Sequence, residues 1–338
     1  MSLSAIYDVP APAKLNLFLH VVGRRPDGYH LLQSVFVLID WCDTLHFERR
    51  SDGRLQRHDL GPALPADDLS LRAARALQHA SGTTLGADLS VHKQVPWGAG
   101  LGGGSSDAAS TLLALNRLWG LHWTTQRLQP IALALGADVP FFIGGQNAFV
   151  EGIGEVLTAL PPHAAQALQT QRYAVVKPAA AIATAAIFGS PLLARDSEAA
   201  IVMSFLAHAS LREKLVTGYG KNDLQAAAES ACGDVSKVAA WLQARFGNSR
   251  MSGSGSAVFA RVGQQSLKRE GGSQQIVRLD QQHLKDTASL QPHRQANQSA
   301  SSGVSMAAQP DWAADLPPGW SGRMCRSLDQ HPLLGWSS

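Results

Sequence analysis

Cysteine is scarce in this chain of 338 residues, which has three of them, Cys42, Cys232 and Cys325, far apart and without metal-site or redox spacing. We therefore expect reduced thiols in a cytoplasmic protein rather than a disulfide framework. The N-terminus lacks a basic segment followed by an apolar run, so no signal peptide is predicted. The longest uncharged run, residues 178–194, is short for a bilayer span and contains Pro, Gly, Ser and Thr, which argues against a membrane protein.

Excess charge is also lacking. The formal net charge is +3 and no basic run is dense, so the composition does not favour a nucleic-acid partner. Charged residues at 16% and hydrophobic residues at 45% are ordinary for a globular protein and argue against both wholesale disorder and a coiled coil. A globular chain of this length can bury a large core, and two domains or lobes are expected.

The most informative stretch covers residues 96–109, Pro-Trp-Gly-Ala-Gly-Leu-Gly-Gly-Gly-Ser-Ser-Asp-Ala-Ala. Its five glycines between Gly98 and Gly104 allow backbone N–H groups to close around an anion. A strand is predicted before the glycines, over residues 87–95, and a helix after them, with residues 105–107 as its capped start. Strand, loop and helix together predict a phosphate-binding site, because the helix N-terminus points free N–H groups at the loop. A glycine-rich turn without a ligand is the alternative.

Known phosphate-binding designs differ in the residues around such a loop. The P-loop pattern requires Gly-Lys-Ser/Thr, but here Ser105 follows Gly104 directly. The dinucleotide pattern is met formally, yet no Asp or Glu lies between Asp107 and Asp138 to bind a ribose hydroxyl. The run Gly-Leu-Gly-Gly-Gly-Ser-Ser, by contrast, resembles the phosphate loop of the GHMP small-molecule kinases, and no residue of that pattern is missing.

The N-terminal segment alternates apolar and polar residues over 13–22, which predicts a strand with two distinct faces. Lys14 and Asn16 then lie on one face, and a lysine taken alone is typical of a solvated surface. Residues 12–19 and 23–30 nevertheless resemble the opening of those GHMP kinases that phosphorylate 4-diphosphocytidyl-2-C-methyl-D-erythritol on the methylerythritol phosphate route to isoprenoids. The resemblance implies that Lys14 is catalytic and that Asn16 binds substrate.

Further elements follow from turn residues and periodicity. A returning strand is predicted over residues 29–39 and a third strand over residues 44–49. Helices are predicted over residues 67–81, 124–136, 201–215 and 224–246.

Asp138 lies within the sequence Leu-Gly-Ala-Asp-Val-Pro-Phe-Phe, residues 135–142. Taken without relatives, it is a turn residue between a helix and a strand. The segment resembles the catalytic aspartate segment of the GHMP kinases, which implies a carboxylate that orients the acceptor hydroxyl and takes its proton. The Lys14 ammonium would then offset charge that develops on the transferred phosphoryl group. Because the transition state is loose, positioning would matter more than base strength.

The resemblance also implies a pocket for the cytidine ring of the substrate. Tyr29 and His30 match one wall, and Thr184 and Phe188 fall where the family has residues of the pocket. Ala185 departs from the family, in which a proline commonly follows the threonine. Aromatic stacking tolerates any base, so hydrogen bonds must select cytosine. Taken singly, these aromatic residues are more typical of a core and the histidine of an ordinary polar position.

The C-terminal third resembles the kinases in two of its segments. Residues 251–256, Met-Ser-Gly-Ser-Gly-Ser, resemble the third GHMP motif, a glycine turn that packs beside the phosphate loop. A tight turn into an edge strand is the alternative. Residues 264–310 are rich in Gln and Ser without periodicity, which favours a flexible surface insertion. Residues 316–328 resemble the closing strand of the family.

The resemblance implies a two-lobed α+β fold and transfer of the γ-phosphoryl group of ATP to the C2 hydroxyl of the substrate. Residues 1–160 would form the N-terminal ATP-binding domain, and residues 161–338 the smaller C-terminal substrate domain. ATP and Mg²⁺ are the implied cofactors, without an assigned metal ligand beyond the candidates Ser105 and Ser106. The implied partner is the small-molecule substrate, for a cytoplasmic monomer or homodimer without a nucleic-acid or membrane partner. The cofactor-binding residues would be Pro96, Gly98, Ala99, Gly100, Leu101, Gly102, Gly103, Gly104, Ser105 and Ser106.

Three other functions stay open on the sequence. A GHMP kinase for a different alcohol would keep Lys14, Asp138 and the loop but not the cytidine pocket. A nucleotide-binding regulator without turnover would need the loop but not the acid–base pair, so Lys14 and Asp138 argue against it. A dehydrogenase would rest on the dinucleotide pattern alone, and thermal stabilisation by NAD(H) would reveal it.

Overall fold

The computed structural model describes residues 3–169, 171–208, 210–263 and 312–337. Its strands form two β-sheets flanked by helices, which confirms the predicted α+β class. The predicted insertion over residues 264–310 lies outside the described residues.

The N-terminal half contains the elements that surround the glycine-rich loop. They are β1 (Ala5–Arg24), β2 (His30–Arg50), β3 (Leu55–Asp59), α1 (Leu69–Ser81), β4 (Gly86–His92), α2 (Gly103–Leu118), α3 (Thr125–Leu135), α4 (Val139–Gly144), β5 (Ala148–Glu151) and β6 (Val156–Ala159).

The elements of the C-terminal half are mostly shorter. They are α5 (Pro162–Leu168), β7 (Arg172–Lys177), α6 (Thr184–Phe188), α7 (Val202–Ala207), α8 (Leu211–Thr217), α9 (Gln225–Ala231), α10 (Gly233–Phe246), β8 (Arg250–Met251), β9 (Val258–Arg261), a 3₁₀ turn (Trp312–Asp315) and β10 (Ser321–Arg326).

The first sheet has six strands in the order β3-β4-β2-β5-β6, with β1 also paired to β2. The prediction of separate strands over residues 29–39 and 44–49 is wrong, because both belong to the single strand β2. β2 pairs with β5 through residues 34–36 and with β4 through residues 44–50. Several shifts in the β1–β2 register allow this long pair to bend and so to serve both neighbours.

The second sheet is antiparallel, in the order β10-β7-β9-β8. The predicted closing strand is confirmed in its central part, since β10 pairs with β7. After β10 the chain returns to the first sheet. The Leu328 N–H donates to the Leu38 carbonyl oxygen at 2.8 Å, and the His331 N–H donates to the Gly145 carbonyl oxygen at 2.8 Å. The closing segment thereby ties the two sheets together.

A shared hydrophobic core lies between the sheets. One buried cluster contains Leu15 of β1 together with Tyr173 of β7 and Phe259 of β9. β1 is covered on both faces, with Leu15 0% and Lys14 3% exposed. The interpretation of Lys14 as a solvated surface residue is therefore wrong, because its strand runs through the interior.

The predicted helices agree with the structure in the first half and less well in the second. α1 begins as expected, with the Asp68 carboxylate accepting from two backbone N–H groups, and Gly82 ends it with a φ of 67°. The helices predicted over residues 201–215 and 224–246 are each split in two, the second by the extended backbone of Cys232. None of the helices in the described part of the chain has the length and apolar character that a bilayer crossing requires.

Candidate active site

The phosphate loop, residues 96–102, connects the end of β4 to α2. Gly98, Gly100 and Gly102 have φ values of 64°, 73° and 72°, a region that residues with a side chain rarely adopt. A Cβ atom at Gly100 would also lie 2.2 Å from the Ser252 carbonyl oxygen. The loop conformation therefore depends on glycine at these positions.

The helix that follows the loop starts earlier than predicted. α2 begins at Gly103, and its N-cap residue Gly102 offers no side-chain hydrogen bond. The prediction that residues 105–107 cap the helix is wrong, since Ser105 and Ser106 lie in its first turn and Asp107 follows that turn. The N-cap residue thus leaves the first N–H groups of α2 without a side-chain cap, an arrangement also found at helix ends that bind anions.

The third motif, residues 251–256, packs against the phosphate loop as predicted. The Ser252 hydroxyl donates to the Gly100 carbonyl oxygen at 3.1 Å and accepts from the Asn16 N–H at 3.2 Å. Just after the motif, the Ala257 N–H donates to the Ala99 carbonyl oxygen at 3.0 Å. Strand β1 and the third motif therefore shape the loop from outside its own sequence.

A buried ionic cluster fixes the two ends of the loop. The Lys93 ammonium contacts the Asp43 carboxylate and lies 2.6 Å from Oδ2 of Asp107. Asp43 is fully buried, and its other oxygen accepts from the Val95 N–H at 2.8 Å. Burial raises the pKa of Asp107 to about 8; the Lys93 charge opposes this rise and the Asp43 charge adds to it. The cluster joins β2, the end of β4 and α2.

The predicted catalytic residues meet at the centre of the site. Nζ of Lys14 lies 2.6 Å from Oδ1 of Asn16, 3.4 Å from Oδ2 of Asp138 and 4.2 Å from the centre of the Phe36 ring. The Asn16 amide donates in turn to the Ser34 hydroxyl at 3.0 Å. The Lys14 side chain is buried, whereas that of Asp138 is 32% exposed. The Asp138 carboxylate is therefore accessible to an incoming hydroxyl group, whereas the Lys14 ammonium is buried and hydrogen-bonded to Asn16.

Asp138 is positioned by a short helix rather than by the expected strand. It stands between α3 and α4, directly before Val139, the first residue of α4. The side chains of Phe141 and Phe142 are completely buried, and α4 packs against α2. The expectation of a strand after Asp138 is wrong, but the buried aromatic pair anchors the residue beside the start of the phosphate helix.

A cavity of about 280 Å³ opens beside Lys14 and Asp138. The predicted site residues that line it are Lys14, Asn16, Gly98, Gly100, Gly102, Asp138, Thr184 and Phe188. The other predicted loop residues belong to the loop or to the first turn of α2 without lining the cavity: Pro96, Ala99, Leu101, Gly103, Gly104, Ser105 and Ser106.

A second space, a groove of about 600 Å³, adjoins the cavity and shares Thr184 and Phe188 with it. Tyr29 and His30 line this groove, so the four residues predicted for the cytidine pocket share one space. The His30 ring is buried and stacks on Phe188, with ring centres 5.1 Å apart and planes inclined by 26°. Tyr29 is 59% exposed, so its interpretation as a core aromatic is wrong.

Sequence reasoning missed two cations of the site. Lys93 fixes the loop through Asp43, which is 50 residues away, and Arg195 donates to His30 from a distance of 165 residues along the chain. Neither residue has a local pattern that marks it. Only a prediction of which strands and loops meet could have found these pairs.

Comparison with known proteins gives one family. A family model described as the GHMP kinases N terminal domain matches residues 68–146. A 4-diphosphocytidyl-2-C-methyl-D-erythritol kinase of Methylibium petroleiphilum is 56% identical over 337 residues, which cover 100% of both chains. A protein with the same name from Polaromonas naphthalenivorans is 56% identical over 267 residues, which cover 77% of this chain and 87% of its own.

Solved structures agree in fold. A crystal structure of 4-(cytidine 5'-diphospho)-2C-methyl-D-erythritol kinase has a TM-score of 0.63 and 33% identity, and the match covers 78% of this chain and 92% of that one. Homoserine kinase from Cytophaga hutchinsonii has a TM-score of 0.57 at 17% identity, over 79% of this chain and 88% of its own, which is a likeness of fold alone.

Proposed function

Since the chain belongs to the family of 4-diphosphocytidyl-2-C-methyl-D-erythritol kinases, we propose that it transfers the γ-phosphoryl group of ATP to the C2 hydroxyl of 4-diphosphocytidyl-2-C-methyl-D-erythritol. It is a phosphotransferase with an alcohol acceptor, in the methylerythritol phosphate route to isoprenoid precursors. The observation that carries the proposal is the pairing of Lys14 with Asp138 beside the phosphate loop, in a chain 56% identical to such a kinase along its whole length.

Asp138 acts as the general base in this proposal. Its partly exposed carboxylate takes the proton of the acceptor hydroxyl as that oxygen bonds to the γ-phosphorus of ATP. The bond from the γ-phosphorus to the bridging oxygen breaks, and ADP leaves with its electron pair. Lys14, held in place by Asn16, offsets the negative charge of the transferred group. Asn16 keeps the ammonium directed at the cavity.

The phosphate loop and the start of α2 bind the phosphates of ATP. Support comes from the left-handed glycines of the loop and from first-turn N–H groups that no side chain caps. Residues 1–160 then form the ATP-binding domain and residues 161–338 the substrate domain, in a cytoplasmic monomer or homodimer.

The residues at the start of α2 fit Mg²⁺ as a companion of the ATP phosphates. The Ser106 hydroxyl is buried in the first turn and has no hydrogen-bond partner within the described part of the chain. The described part of the chain has no group of three or more His, Cys, Asp or Glu suited to a metal ion. This agrees with an ion held mainly by phosphate oxygens and water. Ser105 or Ser106 would supply the protein ligand, and the bound ion would neutralise charge on the phosphate oxygens.

The groove beside the cavity receives the cytidine part of the substrate. The stacked rings of His30 and Phe188 offer an aromatic surface, and the exposed Tyr29 ring is free to cover a base. Thr184 lies where the groove meets the cavity, and its hydroxyl is 2.8 Å from that of Ser254 in the third motif. This arrangement supports a substrate that spans both spaces.

Measurement of ATP consumption together with product mass tests the proposal. The purified protein with Mg²⁺ is offered 4-diphosphocytidyl-2-C-methyl-D-erythritol, mevalonate or homoserine as the acceptor. We expect phosphorylation of the cytidine compound alone.

Transfer to a different acceptor would keep Lys14 and Asp138 but remove Tyr29, His30, Thr184 and Phe188 from substrate recognition. Binding of ATP without transfer to any acceptor would contradict the kinase proposal and favour a nucleotide-binding regulator.

A further inference from the structure

Arg195 is a half-buried residue that contacts His30 of the groove and that no part of the proposed mechanism uses. Its Nε donates to Nε2 of His30 at 3.2 Å. Its Nη1 donates to the Leu193 carbonyl oxygen at 3.1 Å, and its Nη2 to those of Phe188 at 3.2 Å and Ser190 at 3.0 Å. These contacts hold the guanidinium in one orientation against His30 and against the backbone of Phe188, the residue that stacks on His30.

The contact with Arg195 determines which nitrogen of His30 carries a proton. A guanidinium has donors only and remains charged, so Nε2 of His30 accepts. The single proton of the neutral ring then lies on Nδ1. Burial lowers the pKa of His30, and the charges of Arg195 and Arg24 lower it further, so the ring is neutral near pH 7.

The ring of His30 is fixed in plane as well as in protonation. Its stack on Phe188 sets the plane, and the Arg195 contact sets the direction of Nε2 within that plane. Nδ1 has no hydrogen-bond partner among the described residues. His30 lines the groove, and its ring carries one donor of defined direction.

We propose that Arg195 is a positioning residue that fixes His30 as an Nδ1–H donor and thereby sets the choice of cytosine over uracil. The inference rests on the proposed function, in which His30 faces the base of the substrate. N3 of cytosine accepts a hydrogen bond, whereas N3 of uracil carries a proton. A fixed donor pairs with the first and opposes the second, while a histidine free to change tautomer would accept from uracil as well.

The tautomer itself is measured by ¹⁵N NMR of labelled protein without substrate, with the His30 signals assigned through His30→Gln. We expect a protonated Nδ1 and an unprotonated Nε2 at pH 8. Arg195→Gln should give a mixture of tautomers, because an amide can donate or accept. Arg24→Gln removes a neighbouring charge but leaves the contact, so it should keep the wild-type tautomer. A protonated Nε2 in the wild type would overturn the inference.

Kinetics test the consequence for base choice. At pH 8, Arg195→Gln should raise KM for the cytidine substrate about tenfold, with kcat and KM for ATP unchanged, and should weaken the preference over the uridine counterpart. Arg195→Lys keeps a charged head group with donors only and should retain most of that preference. Equal loss of preference in the two variants would contradict a role through the tautomer.

The pH dependence separates this role from damage to the fold. Arg24 and Arg195 are the charges that lower the pKa of His30, and Asp27 and Tyr29 line the same groove. Without the Arg195 charge this pKa rises toward its usual value of about 6.5. The imidazolium has protons on both nitrogens, so Arg195→Gln should regain affinity for the cytidine substrate as the pH falls to about 6.

Two outcomes distinguish this inference from the proposed function. One outcome is that the affinity of Arg195→Gln for the cytidine substrate stays weak at about pH 6 while the wild-type KM is unchanged. This result would overturn the inference and leave the proposed kinase activity intact. Failure of the wild type to phosphorylate the cytidine compound would overturn the proposed function and with it the role in base choice. The tautomer is decided separately, because its measurement needs no substrate.

Discussion

Lys14 is a charged residue in the interior, with only 3% of its surface exposed. Such a burial is unfavourable unless the charge is paired and hydrogen-bonded. Here Asn16, Asp138 and the face of the Phe36 ring all lie within 4.2 Å of the ammonium. The compensation is local, and it holds the ammonium in place at the edge of the cavity.

Replacement of Asp138 tests the assignment of the base. Asp138→Asn keeps a side-chain oxygen for Lys14 but removes the proton acceptor, so we expect kcat to fall by about 10²–10⁴. The Kd for ATP, measured by calorimetry, should change little because the loop is untouched. Turnover near that of the wild type would remove Asp138 from the role of base.

The aromatic wall of the groove gives a second prediction. Phe188→Ala removes the ring that stacks on His30, so KM for the cytidine substrate should rise about tenfold or more while KM for ATP is unchanged. Phe188→Tyr keeps a ring and should stay close to the wild type. An equal rise in KM for the cytidine substrate and for ATP in Phe188→Ala would argue against stacking on the base.

At the scale of elements, the phosphate loop is held by parts of the chain distant in sequence. The Gly100 carbonyl oxygen accepts a hydrogen bond from the Ser252 hydroxyl. The ionic cluster of Lys93, Asp43 and Asp107 fixes the strand before the loop to the helix after it. The glycines make the loop conformation possible, but they would also leave it flexible. The third motif and the ionic cluster therefore give the loop its single shape.

Substitution within the loop tests this dependence. Gly100→Ala places a methyl group 2.2 Å from the Ser252 carbonyl oxygen at a φ of 73°, so the loop must shift and its affinity for ATP should fall at least tenfold. Gly104→Ala lies in the first turn of α2, where the nearest atom, of Leu69, is 3.6 Å away, and should keep the wild-type Tm. An unchanged Kd for ATP in Gly100→Ala would contradict the close packing of loop and third motif.

At the scale of the whole molecule, the closing segment joins the two sheets. The Asn147 side chain accepts from the Leu38 N–H at 2.9 Å and donates to the Leu328 carbonyl oxygen at 2.8 Å. His331 is 1% exposed, and its Nδ1 accepts from the Leu333 N–H. Burial lowers the pKa of His331 to about 4, so the docked segment contains a histidine that must remain neutral.

The His331 pKa predicts a loss of stability in acid. The unfolded chain binds the proton near pH 6.5 and the folded chain only near pH 4, so the free energy of unfolding should fall by up to about 3 kcal/mol between these values. His331→Asn keeps an acceptor for Leu333 and should lack this loss in urea titrations from pH 7 to 4. His92→Asn, at an exposed site, should behave like the wild type. The same acid dependence in His331→Asn would contradict the assignment.

The sequence by itself determined the class of fold and the chemistry of the site. The left-handed glycines of the loop, the limits of α1, and the placement of Lys14 and Asn16 on one face of β1 depend on neighbours along the chain, so local patterns contain them. The resemblance to the family located β10 within the predicted closing strand, residues 316–328, but not the union of two predicted strands in β2, which the register with β1 and both neighbours decides.

The tertiary structure alone decided burial and long-range pairing. Local sequence describes Lys14 as a surface lysine and Arg195 as an ordinary loop residue, because alternation and composition do not say which layer covers a strand. Lys14 is buried against Phe36, Asp138 and the phosphate loop, and the fold brings Arg195 to His30 across 165 residues. The energies of these contacts depend on distance and desolvation, which exist only once the chain has closed on itself.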